Sequence, residues 1–369
     1  MEIVEVISLK EQKEFLNFPV QLYANDSSFI RHLDDDINAV FDKSRNRFLA
    51  FGEAKRWLLQ DAGRTVGKIA AFYHTEKPEK PFVGMGFFDC INNQSAANLL
   101  FQQAMDWLKS KRFSSALAPI NFGDRDSYWG LMVQGFQNVS YRENYNPPYY
   151  QKLFENFGFK KDFEQTTSKL LRADFNLERF SKLASRVLSN PKYEFRHLDM
   201  KKKESFIKDF LYIYNKAWQS HEFFRPMSEE QVRKQLQLMA PIAPNKLNWF
   251  VYANGEPAGF FINVLNINPI FKAANGKFNL LTKLRFLFLK SQIKTIRGIV
   301  FGVIPEYHNL GLEVGMIMKM YEQLQTPPLR HIDSTELAWV GDFNPKMLSM
   351  FNSLGAKIAK VHYTYRIDF

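Results

Sequence analysis

Along this chain, apolar runs of strand length alternate with amphipathic stretches of helix length. Residues 56–73 predict a hairpin: apolar runs flank the turn-type cluster Asp61-Ala62-Gly63, and Gly67 offers a bulge or a close backbone approach. An extended run from Phe82 to Ile91 leads through Asn92-Asn93-Gln94 into a helix, with Ser95 as its N-cap and Leu100, Ala104, Trp107 and Leu108 on one face. Residues 114–122 return as a buried strand, and strand, helix, strand in that order implies a parallel crossover. A Pro-opened helix then runs to Gly158, and 164–173 is again a strand.

The second half repeats this plan at low identity. Trp249 to Leu265 predicts a hairpin turning at Asn254-Gly255, and Gly298 to Leu324 a strand, a turn and a helix. The C-terminal stretch reads as a strand, a Pro-started helix stopped at Gly355, and a last strand whose Val361, Tyr363, Tyr365 and Ile367 share a face. The expected domains are 1–175 and 190–369, joined through 174–192, where Asn190-Pro191 interrupts the pattern. Length agrees, since 369 residues exceed the roughly 100–200 of one domain.

Hydrophobic residues at 46% and charged residues at 24% exclude wholesale disorder, and 36 Phe imply thick aromatic cores, long apolar clefts, or both. With 49 Lys and Arg against 38 Asp and Glu, the net charge of +11 attracts anions such as phosphorylated cofactors, nucleic acid or acidic lipid. Cys90 is the single cysteine, so no intramolecular disulfide and no thiolate zinc site is expected. The acidic start and the lack of any window of roughly 18 apolar residues make a cytoplasmic protein with no membrane span the expectation. The seven histidines lack metal-ligand spacing, so no metal is expected. No Gly-x-Ser-x-Gly elbow or phosphate-binding Gly-Lys loop occurs, and Gly84-Met85-Gly86 reaches Asp89 where a dinucleotide fingerprint needs glycine. Hydrolase, kinase and dehydrogenase readings are therefore set aside. Lys201-Lys202-Lys203 reads as a solvated helix start.

The order hairpin, strand, turn, helix, strand, helix ending in Gly-Phe or Gly-Ala, then strand resembles the acyl-CoA N-acyltransferase (GNAT) superfamily, twice over. Residues 305–316 are similar to the family's cofactor loop, 344–356 to its asparagine-to-glycine helix, and 147–159 to that helix in the first half. The two-copy arrangement is similar to that of Fem-type aminoacyl transferases and N-myristoyltransferases. The fold this implies is α/β: two tandem GNAT-like domains, each a mixed central sheet flanked by helices.

The resemblance implies that His308, Asn309, Leu310, Gly311 and Leu312 hold the diphosphate of acetyl-CoA or a longer acyl-CoA on the unpaired amides of a helix N-terminus. Gly311 keeps the family's glycine, His308 stands in place of Gln or Arg, and Glu313 in place of a small residue. The first-half counterpart, Asn92 to Ala97, has no glycine, which makes the second copy the better cofactor candidate. A backbone N–H near Val303 and Ile304 would polarise the thioester carbonyl. Asn344 either holds the pantetheine or caps its helix.

The family's general-acid tyrosine, four residues before the helix-ending glycine, is replaced by Phe154 and Phe351. Tyr149 and Tyr150 are the substitutes, with core packing as the favoured alternative for both, and Tyr150 is the catalytic candidate. Asn215 and Trp218 are candidates for binding the amine, and His221 and Glu222 for its base. Helical neighbours do not face each other, so a surface loop with aromatic anchors is the alternative for 214–226.

Residues 277–297 form an insertion that reads as a basic helix with a broad apolar face. It would lie on an anionic membrane or, the favoured reading, pack on the second domain with its lysines solvated. The function implied is acyl transfer from acyl-CoA to a small-molecule amine. A catalytically silent ligand binder and aminoacyl transfer from charged tRNA are the alternatives.

Overall fold

A computed structural model describes residues 1–123, 125, 127–219 and 226–369. The first half runs β1 (Glu2–Glu5), α1 (Leu9–Leu22), α2 (Asp34–Val40), β2 (Gly52–Asp61), β3 (Arg64–His74), β4 (Phe82–Cys90), α3 (Gln94–Ser110), β5 (Ser115–Ala118), β6 (Leu131–Gln134), α4 (Tyr150–Phe157), β7 (Lys160–Leu171) and α5 (Leu177–Leu188). The second runs β8 (Tyr193–His197), α6 (Lys203–Trp218), α7 (Glu229–Met239), β9 (Trp249–Ala253), β10 (Glu256–Leu265), α8 (Asn268–Phe271), α9 (Leu280–Leu289), β11 (Thr295–Val303), α10 (Leu312–Leu324), β12 (Ser334–Gly341), α11 (Pro345–Leu354) and β13 (Lys357–Asp368).

The predicted punctuation is seen at both hairpins and both helix stops. Ala62-Gly63 and Asn254-Gly255 take the left-handed conformation that tight hairpin turns require. Gly158 and Gly355 are left-handed C-caps. One expectation changes. Asn93, not Ser95, caps α3, because its side chain accepts from the Ala96 N–H. The stretch expected as a join contains α5, which buries Phe180, Ala184 and Val187 at helical spacing in the second-half core.

The strands form one sheet in the order β1-β2-β3-β4-β5-β13-β7-β12-β11-β10-β9-β8. Successive residues of a strand serve opposite faces. Leu58 and Ala70 pack with Phe15 of α1, whereas Trp57, Leu59, Ile69 and Ala71 pack with α3. In the second half Phe250 and Phe260 meet α6, while Trp249 and Val251 meet the core of α5 and α10. The abundant Phe supply that core: Phe88, Phe101, Phe154 and Phe159 touch edge to face or stacked between the sheet, α3 and α4.

Two features of the order matter for function. First, the parallel contacts are short: β4 meets β5 at Gly84 and Leu117, and β11 meets β12 only from Thr295 to Gly298, so each half has two strands that part company. Second, the final strands are exchanged. β13 lies between β5 and β7, and β7 lies against β12.

The seam of this exchange is polar. Lys360 on β13, 1% exposed, donates to Glu143 at 2.5 Å and to Glu336 at 2.9 Å. Ser140 donates to Glu336, and Arg297 lies 3.9 Å from the same carboxylate. Burial would raise the Glu143 carboxyl, but Lys360, with Arg297 behind it, outweighs burial and holds it down to about 2. The carboxylates in turn keep the Lys360 ammonium above its ordinary value against the opposing effect of burial.

Candidate functional site

In the first half, the parting of β4 from β5 coincides with a bulge. Lys68 pairs with Asp89 and Ala70 with Gly86, so Phe87 and Phe88 together face Ile69, and Phe87 takes a positive φ of 51°. Beside the bulge lies a cavity of about 80 Å³, lined by Tyr23, His32, Lys68, Asp89, Tyr128 and Tyr150 on its polar side. Leu16, Phe29, Ile37, Phe87 and Leu131 supply apolar wall. It has room for a few water-sized groups, which suits reacting atoms rather than whole alkyl chains.

One hydrogen-bonded chain runs along its wall. The Cys90 N–H donates to the Tyr150 hydroxyl at 2.7 Å, the Tyr150 and Tyr23 hydroxyls lie 3.1 Å apart, and Tyr23 donates to Asp89 at 2.6 Å. Lys68 Nζ sits 3.1 Å from the other Asp89 oxygen and donates to the Phe15 carbonyl. Burial pushes the Asp89 carboxyl above its ordinary range and the Lys68 ammonium below its own, so desolvation outweighs their attraction. Burial, with Asp89 nearby, also raises both tyrosines well above ordinary phenols, which keeps them protonated. His32 is lowered to about 4 by burial and is neutral at pH 7; its Nδ1 is buried with no partner among the described residues. The site thus holds a carboxylate base, protonated phenols and a neutral imidazole around one small cavity.

Tyr150, named from the sequence, is 1% exposed and packs in the core as the alternative had it, yet it also lines this cavity. Tyr149 donates to the Cys90 carbonyl at 2.7 Å. Lys68, Asp89, Tyr23 and His32 escaped sequence reasoning. Lys68 and Asp89 were detectable as lone charges inside the apolar strands Gly67–Phe72 and Phe82–Cys90, whereas Tyr23 and His32 come from α1 and the loop after it, which carry no motif.

The second-half candidates do not join this site. Val303 and Ile304 end β11 and are buried. The Ile304 N–H donates to the Ala258 carbonyl at 2.9 Å, so it is engaged in the sheet rather than turned to a carbonyl ligand. His308 Nε2 lies 2.9 Å from the Val303 carbonyl. Asn309 and Gly311 have φ of 64° and 79°, Leu310 is exposed, and Leu312 is buried at the start of α10. Gly311 is the N-cap of that helix and no side chain among the described residues caps it, so the first amides of α10 fit a diphosphate, while Glu313 in the first turn opposes one. In the first half the corresponding start is covered: Asn93 caps α3, Gln94 donates to the Leu153 carbonyl, and Asn156 donates to Gln94.

Beyond the second-half loop, Trp218 covers the end of β11 at Gly302. Trp218 closes α6 and stacks near Tyr214 and Phe260, and a Cβ on Gly302 would stand 2.4 Å from its ring. Residues up to Trp218 are helical rather than a loop. The Asn215 amide oxygen accepts from the Met227 N–H. His221 and Glu222 lie outside the described residues. Asn344 caps α11, accepting from the Met347 N–H at 3.2 Å, as the capping alternative had it. No group of three or more His, Cys, Asp or Glu able to hold a metal occurs among the described residues.

No protein-family model matches the chain. Among curated proteins it is 24% identical over 367 residues to Protein YghO of Escherichia coli (strain K12), covering 97% of this chain and 93% of that protein. It is also 24% identical over 380 residues to the bacterial ceramide synthase of Caulobacter vibrioides (strain NA1000 / CB15N), covering 100% and 96%. Among solved structures it resembles a tandem GNAT protein from the clavulanic acid biosynthesis pathway, with a TM-score of 0.57, 12% identity, and coverage of 100% and 98%. A GCN5-related glucosamine N-acetyltransferase region of a fungal β-N-acetylglucosaminidase gives a TM-score of 0.58 at 12% identity. There the match takes in 99% of this chain and spans only 38% of the fungal protein. The chain has the tandem GNAT fold expected from its repeated pattern.

Proposed function

We propose that this protein transfers an acyl group from acyl-CoA to the primary amine of a long-chain amphiphile, and that the reaction takes place in the first-half cavity. The observation that carries this reading is the chain Lys68, Asp89, Tyr23, Tyr150 beside the β4 bulge, where a base and a proton donor meet one cavity. The name of the Caulobacter relative supports the acceptor class, because a ceramide is an N-acylated long-chain amino alcohol.

In this mechanism the substrate ammonium gives a proton to Asp89. The free amine attacks the thioester carbonyl carbon, the C–N bond forms, and the C–S bond breaks as the tetrahedral intermediate collapses. His32 accepts the second nitrogen proton. The thiolate takes the Tyr150 proton, which Asp89 replaces through Tyr23. One amide, one free thiol and one proton result. Holding the two reactants in a closed site supplies much of the rate gain. Trp218, packed over Gly302 near the end of β11, favours the first half as the reacting site, although α10 in the second half offers freer amides.

The test is thiol release from short- and long-chain acyl-CoA with a panel of small and long-chain amines, with Asp89→Asn, Tyr150→Phe and His32→Gln as variants. Amine-dependent thiol release that falls roughly 10²–10⁴-fold in the Asp89 or Tyr150 variant is expected. Turnover unaffected by all three variants refutes the site. Ligand-induced stabilisation with no turnover on any amine refutes the enzyme reading in favour of a binder.

A further inference from the structure

The second-half insertion turns its apolar side outward. α9 buries Thr282 and Phe286, with Leu289 partly covered, on one side. Leu280, Leu281, Leu284, Leu287 and Phe288 are exposed, Leu281 at 70% and Phe288 at 75%. At 3.6 residues per turn these five occupy an arc of about 120° opposite the buried side, and Lys283 and Arg285 flank it on either edge. Phe278, just before the helix, adds a further exposed ring. The helix packs on the second-half core with its lysines solvated, as the favoured expectation had it, but through its narrow side, leaving the broad apolar face outward.

The charge around this face is of one sign. From Pro257 to Pro305 the chain has no Asp or Glu, and Lys272, Lys277, Lys283, Arg285, Lys290 and Lys294 are all exposed. An apolar strip edged by cations, with no carboxylate of its own stretch to repel phosphate, is the chemistry that settles into an anionic lipid surface. A soluble acidic protein would meet the cations but leave the leucines in water.

The position of the insertion ties it to the cavity. The Asp34 N–H donates to the Gly276 carbonyl at 2.8 Å, and Arg31 donates to the Asn275 side chain at 3.4 Å. Gly276 has a positive φ of 80°, the left-handed region that favours glycine, and a Cβ there would stand 2.4 Å from Arg31 Nε. Arg31 and Asp34 line the first-half cavity. The exposed helix begins four residues after Gly276, so the same segment supports the cavity wall and carries the apolar strip.

We propose that α9 and its flanking lysines are a docking surface for an anionic bilayer, lying in the lipid interface without crossing it and holding the first-half cavity beside the membrane. No helix among the described residues is long and apolar enough to span one. The docking does not depend on the transferase reading, and its test needs no turnover.

The experiment is flotation of the full chain with vesicles of equimolar phosphatidylglycerol and phosphatidylcholine, against vesicles of phosphatidylcholine alone. Binding to the anionic vesicles, weakened by salt, is expected. Lys283→Gln with Arg285→Gln should lower partitioning about 30-fold, each of the two charges being worth about fivefold at the surface. Leu281→Ser with Phe288→Ser should lower it more than tenfold with an unchanged melting temperature, because both side chains are exposed. No flotation with anionic vesicles overturns the proposal, as does flotation undiminished in the serine variant. Loss of a dimer in that variant, with no vesicle binding by the parent, overturns it in favour of self-association.

Discussion

Replacing Lys360 by Met tests the seam between the exchanged strands. The substitution keeps most of the side chain's length and removes its charge, leaving Glu143 and Glu336, both about nine-tenths buried, without their shared cation. Breaking a buried pair in this way costs about 3–5 kcal/mol. Unfolding entropy of about 2.1 cal/mol/K per residue over 369 residues is about 0.8 kcal/mol/K, so Tm should fall by about 4–6 °C in calorimetry near neutral pH. The pH dependence has a definite sign. In the parent, Glu143 is held below its unfolded value of about 4.3, so its stabilisation is complete above that value and is lost as pH falls toward about 2. In the variant, burial acts unopposed by Lys360 and pushes the Glu143 carboxyl up, so it takes up a proton and the penalty fades as pH falls. The Tm gap between the two proteins should therefore be wide near about pH 8 and narrow toward about pH 5. A loss of less than about 1 °C, or a gap independent of pH, would show that the triad does not carry the seam.

Two further predictions concern the first-half cavity. Burial raises Asp89, so kcat/KM for amine acylation should rise with pH through a midpoint above the ordinary carboxylate range; Lys68→Met removes the charge that opposes this and should move the midpoint higher still. A midpoint that stays put in that variant would remove Asp89 as the base. Cys90 is fully buried, and burial, helped by Asp89, pushes its thiol up to about 12, so a thiol reagent should label the native protein far more slowly than the denatured one; equal rates would contradict the packing around β4.

Much of the fold was legible because local chemistry and global position agreed. Asn254-Gly255 can hardly be anything but a tight turn between apolar runs, and Gly158 and Gly355 end amphipathic helices where left-handed caps are needed. The repeat itself was visible as the same order of such signals. α5 went unread because Asn190-Pro191 drew attention to a join, although Phe180, Ala184 and Val187 already stood at helical spacing. The site was less legible. His308 to Gly311 form a recognisable loop, but a loop motif says nothing of what packs on the strand before it, and Trp218 covers Gly302 there from an element with no motif. The exchange of strands was invisible for a different reason. The alternation of Val361, Tyr363, Tyr365 and Ile367 tells which way side chains face and is silent about which strand lies alongside.

The interleaving of β7 and β13 also governs how the protein is made. While the chain grows on the ribosome, the free edge of β5 must wait for its partner β13, so the N-terminal sheet stays unfinished until Lys357–Asp368 has been made. Neither half can complete itself by closing over its own sequence. A premature stop that removes β13 would damage the distant N-terminal cavity as surely as the region next to the break, and gene fragments that separate the halves would have to find each other again to rebuild it.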